Sequence, residues 1–115
     1  MTENGPSIRL LIVDDHLIVR MGLRLMLQTA NDITLVGEAS NSVEALHLVG
    51  ELQPNVVLMD LRMPGMDGIE AIRRLRDAWP HIAVIILTTY DEDDLMIRGL
   101  RAGACGYLLK DTDLA

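Results

Sequence analysis

The sequence predicts an α/β domain built on a parallel sheet of five strands. Short, nearly continuous apolar runs recur along the chain, and between them apolar residues return at helical spacing. Strand–helix alternation through short connections implies parallel strands with right-handed crossovers. The length sets a bound too: 115 residues fit one domain, residues 1–115, large enough to bury a core without staples.

A polar lead-in over residues 1–7 precedes the first strand, Ile8 to Val13 (IRLLIV). A run without alternation belongs to a strand buried on both faces. From His16 to Ala30 the spacing turns helical. Arg20, Arg24 and Gln28 form one narrow polar stripe there, which predicts an unusually wide buried face. Ile33 to Ala39 is the second strand. Asn41 caps the next helix, with Glu44 reaching back to it. That helix runs to Leu52, buries Val43, Leu46 and Val49, and stops at Pro54. Val56 to Met59 is the third strand and ends in Asp60.

Asp67-Gly68 forms the turn and cap into a third helix, Gly68 to Ala78. Its inward residues are Ile69, Ile72 and Leu75; Glu70, Arg73, Arg74 and Asp77 face out. Ile82 to Leu87 is the fourth strand and ends in Thr88-Thr89. The fourth helix, Asp91 to Ala102, opens on four acids and closes on Arg98 and Arg101, as the helix dipole favours. Gly103 terminates it. Cys105 to Leu109 is the fifth strand and ends in Lys110, the only lysine of the chain.

Composition excludes several function classes. The lone cysteine, Cys105, can make neither an intramolecular disulfide nor a cysteine-based zinc site, and reads as a small buried hydrophobe in a reducing cytosol. Residues 1–7 lack the basic and apolar regions of a signal peptide. No apolar stretch approaches the ~20 residues of a membrane span. These features predict a cytoplasmic protein with no membrane contact. A net charge of −7 argues against nucleic-acid binding by this chain itself.

In open α/β sheets ligands bind beyond the carboxyl ends of the strands. Those ends deliver Asp14 and Asp15, then Asp60, Thr88 and Lys110. A strand order of 2-1-3-4-5 sets strands one, three and four side by side, so these groups share one rim. Three carboxylates in one pocket repel each other unless a cation joins them, and hard oxygen donors suit Mg²⁺. A carboxylate is also a competent nucleophile toward a phosphoryl group. Mg²⁺, the Lys110 ammonium and the Thr88 hydroxyl can each address one phosphoryl oxygen.

Each residue alone has an ordinary reading. An acidic pair after a strand is commonly a turn or cap. Asp60 can simply open a loop, threonine favours strands, and a lone lysine is usually solvated. The conjunction on one rim separates the chemical reading from these. Lys110 adds to it, because arginine supplies every other positive side-chain charge in the chain.

The stretches IVDDH (12–16), VVLMDLRMPGMDGIEAIRRL (56–75), ILTTY (86–90) and GYLLKD (106–111) resemble the receiver domains of two-component response regulators. DDHLIVRMGL and GYLLKD are similar to the NarL/LuxR-type subfamily. The resemblance implies a flavodoxin-like (CheY-like) doubly wound parallel sheet of order 2-1-3-4-5. It implies that Asp60 accepts a phosphoryl group from a sensor histidine kinase. It implies that Asp14, Asp15, Asp60 and the Arg62 main-chain carbonyl hold Mg²⁺, and that Thr88 and Lys110 contact the phosphoryl oxygens. Thr88 and Tyr107 would form the switch, and Arg62 and Tyr90 would flank the site and influence phosphate lifetime. DNA would be bound only through a C-terminal helix-turn-helix domain absent from this chain, with homodimerisation on phosphorylation.

Two features depart from the wider family. Asp111 stands where many receivers carry proline after the lysine, which is usual for the NarL/LuxR type. The family's fifth helix is missing, so the first helix is expected to lack a neighbour, leaving the domain less stable or self-associating. A Mg²⁺-dependent phosphatase is the enzymatic rival, but phosphatases of this architecture place a D-x-D nucleophile after the first strand, where this chain has Asp14-Asp15-His16. A nucleotide- or flavin-binding module would need a glycine-rich loop there, and DDHLIV has none. A non-phosphorylated interaction domain of the same fold would usually have lost one of the site residues.

Overall fold

The computed structural model describes residues 7–63, 67–89 and 93–110. In chain order the elements are β1 (Ile8–Val13), α1 (Leu17–Leu27), β2 (Ile33–Ala39), α2 (Ser42–Leu52), β3 (Val56–Asp60), α3 (Gly68–Ala78), β4 (Ala83–Thr88), α4 (Asp93–Ala102) and β5 (Gly106–Leu109). The strands form one sheet of order β2-β1-β3-β4-β5. Every neighbouring pair is parallel. The parallel sheet expected from the apolar runs, in the doubly wound order that the resemblance implies, is the one observed.

Successive side chains of a strand point to opposite faces, so the runs supply two cores. Leu11, Val13, Val57, Met59, Val84 and Ile86 line one face, against Ala45 and Val49 of α2 and Ile69, Ile72 and Leu75 of α3. Leu95 and Leu100 of α4 pack on the same side. Leu10, Ile12, Leu58 and Leu87 line the other face, where Val19, Leu23 and Leu27 of α1 cover them only in part.

That asymmetry overturns the wide buried face expected of the first helix. No residue of α1 is buried. Ile18 is 77% exposed and Leu25 63%. Among the described residues α1 is the only helix on its side of the sheet. Val19, Leu23 and Leu27 pack on the sheet, and the apolar residues of α1 turned away from it meet no second helix among the described residues.

The second helix buries Val49 and packs Leu46 as expected, but its phase leaves Val43 out. Ser42, Ala45 and Val49 are its buried residues, and Val43 is exposed. The Asn41 side chain accepts from the Glu44 amide at 2.8 Å, which sets where the helix begins. Small residues then face the sheet and let the helix approach closely. The Glu44 carboxylate reaches back to the Ser40 amide at 2.9 Å rather than to Asn41. Asp67 caps α3 as expected, accepting from Ile69 N–H at 2.9 Å.

Gly103 ends α4 with φ of +131°, a conformation glycine adopts without strain. Cys105 is exposed, not buried, because it lies just ahead of the short edge strand β5. The acids at 91 and 92, Tyr90 and Asp111 lie outside the described residues.

Candidate functional site

Register brings the strand ends together. Val13 pairs with Met59, Asp60 with Leu87, and Thr88 with Leu109. Asp14, Asp60, Thr88 and Lys110 therefore emerge side by side at the carboxyl edge. Asp14 is fully buried, Asp60 and Thr88 nearly so. Asp15, next along, is more open to solvent.

Lys110 joins the two buried carboxylates. Its Nζ donates to Asp60 Oδ2 at 3.0 Å and lies 3.1 Å from Asp14 Oδ2. The Lys110 amide donates to the Thr88 carbonyl at 2.6 Å, which anchors the lysine at the end of the sheet. The other oxygen of Asp60, Oδ1, accepts from the Arg62 amide at 3.0 Å. Burial pushes the Asp60 carboxyl above its ordinary range, with the Asp14 charge adding to the rise. The Arg62 amide and Lys110 oppose it. For Lys110, burial works against the charged form, but bonding to Asp60 and Asp14 outweighs it and raises the ammonium's pKa. The lysine is thus held charged between two acids.

The pocket suits a hard divalent cation. Asp14, Asp15, His16 and Asp60 each present a ligand atom, and these atoms lie within 4.8 Å of one another. Asp14 Oδ2 is buried, and the Lys110 ammonium faces it at 3.1 Å. Buried carboxylates that repel one another are costly unless cations meet them, and the single Lys110 ammonium is shared by two of them. Three carboxylates offer the oxygen-rich donor set that Mg²⁺ takes while keeping several waters.

The Thr88 hydroxyl donates to the Thr89 carbonyl at 3.3 Å. Tyr107 lies on the edge strand with its ring half exposed, 48%. Two others emerge that the motifs did not single out. His16 is exposed, but its Nδ1 sits 3.1 Å from both Asp14 Oδ1 and Asp15 Oδ1, and its amide donates to Asp14 Oδ1 at 2.8 Å. Arg20 donates from Nη1 to the Asp14 main-chain carbonyl at 2.6 Å. The only sequence signal for Arg20 was its place on the polar stripe, because a contact to a main-chain carbonyl leaves no mark on the partner's identity.

The chain is thus a parallel α/β domain with a lysine-bridged acidic pocket at its strand ends. The model of the response regulator receiver domain matches residues 10–115. The chain belongs to that family. The transcriptional regulatory protein YdfI of Bacillus subtilis is 53% identical over 104 residues, 90% of this chain and 48% of YdfI. The chain spans about half the length of the curated relatives it matches. A LuxR-family response regulator from Aurantimonas superposes with a TM-score of 0.86 at 36% identity, over 93% of this chain and 76% of that one. RcsB from Salmonella enterica serovar Typhimurium, bound to the promoter rprA with the phosphomimetic BeF₃⁻, gives 0.84 at 30% identity, over 91% of this chain and 60% of that one. The NarL/LuxR character read from DDHLIVRMGL and GYLLKD agrees with these relatives, which are regulators of transcription rather than classical enzymes.

Proposed function

We propose that this receiver accepts a phosphoryl group on Asp60 from a phosphohistidine of a sensor histidine kinase. The observation that carries the proposal is the Lys110 ammonium, 3.0 and 3.1 Å from the carboxylates of Asp60 and Asp14. A carboxylate oxygen of Asp60 attacks phosphorus, a P–O bond forms, and the P–N bond to the donor imidazole breaks with its electron pair returning to nitrogen. Lys110 holds a fixed positive charge beside the oxygens where negative charge gathers. Asp14, Asp15, Asp60 and the Arg62 main-chain carbonyl would hold Mg²⁺, which neutralises phosphoryl charge when bound. The same groups that promote transfer also serve hydrolysis, so the protein modulates its own phosphate without being a multiple-turnover enzyme on small esters.

Phosphorylation would then act as a local charge event biasing a two-state element. The Thr88 hydroxyl leaves the Thr89 carbonyl for a phosphoryl oxygen, Tyr107 turns inward from its half-exposed position, and the surface around α4 and β5 changes. Arg62 and Tyr90 would tune how long the phosphoryl group survives. The readout is a helix-turn-helix output domain in the full-length protein, which binds DNA and is brought together by homodimerisation. RcsB, solved on promoter DNA in the presence of a phosphomimetic and as dimers on DNA, supports a DNA-binding readout. Among the described residues no helix is long and apolar enough to cross a membrane, and a readout on DNA would place the protein in the cytoplasm.

Incubation with acetyl phosphate and Mg²⁺, read by intact mass, tests the proposal. One added phosphoryl group is expected, absent when Mg²⁺ is chelated and absent in Asp60→Ala. No adduct, or an adduct that survives Asp60→Ala, overturns it. Sustained phosphate release from small esters would favour a phosphatase.

A further inference from the structure

We infer that Arg20 is a positioning residue for the acidic pocket, holding the Asp14 main chain so that its carboxylate meets the divalent cation; the inference rests on the phosphoacceptor reading above. The Arg20 guanidinium contacts two elements at once. Nη1 donates to the Asp14 carbonyl at 2.6 Å, and Nε donates to Glu38 Oε1 of β2 at 3.1 Å. Both side chains are largely withdrawn from solvent, Arg20 at 17% exposure and Glu38 at 20%. Arg24, one turn further along α1, donates from Nε to the other Glu38 oxygen at 2.8 Å. Glu38 is therefore bonded by two guanidiniums, one on each carboxylate oxygen.

The effect on Asp14 comes through its backbone. The Asp14 amide donates to the Ala39 carbonyl at 3.0 Å, and its carbonyl accepts from Arg20. The residue is thus tied to β2 on one side and to α1 on the other. This constraint matters because Asp14 must hold a buried carboxylate near those of Asp15 and Asp60, whose mutual repulsion pushes the chain apart. A planar guanidinium serves two acceptors in different directions, whereas a lysine ammonium acts as one point. Groups that orient metal ligands without touching the metal typically contribute tenfold or more in affinity.

The competing explanation is that Arg20 merely fastens α1 to the sheet. Leu27 separates the two. It helps dock the far end of α1 on the second core and takes no part in the clamp on Asp14. The test measures, in the full chain, the Mg²⁺ concentration for half-maximal phosphorylation by acetyl phosphate, together with Mg²⁺ affinity by calorimetry.

Arg20→Ala is expected to raise both values roughly tenfold, with phosphorylation recovering at high Mg²⁺. Arg20→Lys, which keeps the cation and preserves the fold if alanine does not, is expected to shift them by a smaller factor. Leu27→Ala should lower the melting temperature yet leave both Mg²⁺ values as in the wild type. Wild-type Mg²⁺ values in the folded Arg20 variants, or an equal shift in Leu27→Ala, overturn the positioning role. A wild-type chain that takes no phosphoryl group on Asp60 would instead refute the underlying function.

Discussion

Asp60 shows how a single carboxylate can work against the fold that carries it. Burial holds its pKa above the ordinary 3.8, so its ionised form is less favourable in the folded protein than in the unfolded chain. The folded state then binds the proton more readily, and this group's contribution to stability is greatest at low pH. It is lost as pH rises from 3.8 through the raised value. In Mg²⁺-free buffer at neutral pH, Asp60→Asn is therefore expected to melt above the wild type. The difference should shrink as pH falls toward the ordinary carboxylate range. Thermal melts across pH check it, and an Asp60→Asn variant less stable than the wild type at neutral pH would show that the Lys110 contact outweighs the burial.

The residues of this pocket were legible for a simple reason. Asp14, Asp15, Asp60, Thr88 and Lys110 each stand directly at a strand end, and strand ends can be read from apolar runs. Side-chain direction cannot. Thr88 facing the Thr89 carbonyl, and the approach of His16 to two carboxylates, depend on rotamers and on packing around the edge.

At the scale of the element, α2 shows the limit of helical periodicity. Of Val43, Leu46 and Val49, which satisfy an inward spacing on paper, Val49 is buried and Leu46 packs against the core, but Val43 is exposed while Ser42 and Ala45 are buried. Two apolar stripes a residue apart compete on this helix. The cap at Asn41 and the closeness that small residues permit favour the second. Stability of alanine variants should separate them. Val49→Ala, at a fully buried position, is expected to cost on the order of 1–3 kcal/mol. Val43→Ala should fall within about 0.5 kcal/mol of the wild type, as exposed positions do. Equal losses in urea titrations would contradict the observed phase. The third helix carried no such ambiguity, because Ile69, Ile72 and Leu75 form one stripe opposite charged residues, and all three are buried.

For the whole molecule, the sheet divides a well-covered face from a sparsely covered one. Three helices pack on the first, and α1 alone, among the described residues, on the second. Leu17, Ile18, Met21, Leu25 and Met26 consequently stay exposed on a single helix. An apolar surface of that extent favours association. Sedimentation of residues 1–115 is expected to give a mass that rises with concentration, and Leu25→Glu should return it to the monomer with the melting temperature little changed. The parallel sheet followed from the alternation of apolar runs, and its strand order from the resemblance to receiver domains. The open face of α1 followed less clearly, since an apolar stripe tells how much surface a helix would bury and not whether a neighbour is there to bury it.

The central claim is that this fold gathers its charges to make Asp60, and no other acid, the phosphoryl acceptor. The direct measurement is reduction of the acetyl phosphate-treated, Mg²⁺-loaded chain with borohydride, which converts an acyl phosphate to the corresponding alcohol, followed by tandem mass spectrometry. Homoserine at position 60 alone is the predicted result. Homoserine at position 14 or 15, or at no position, would contradict the account.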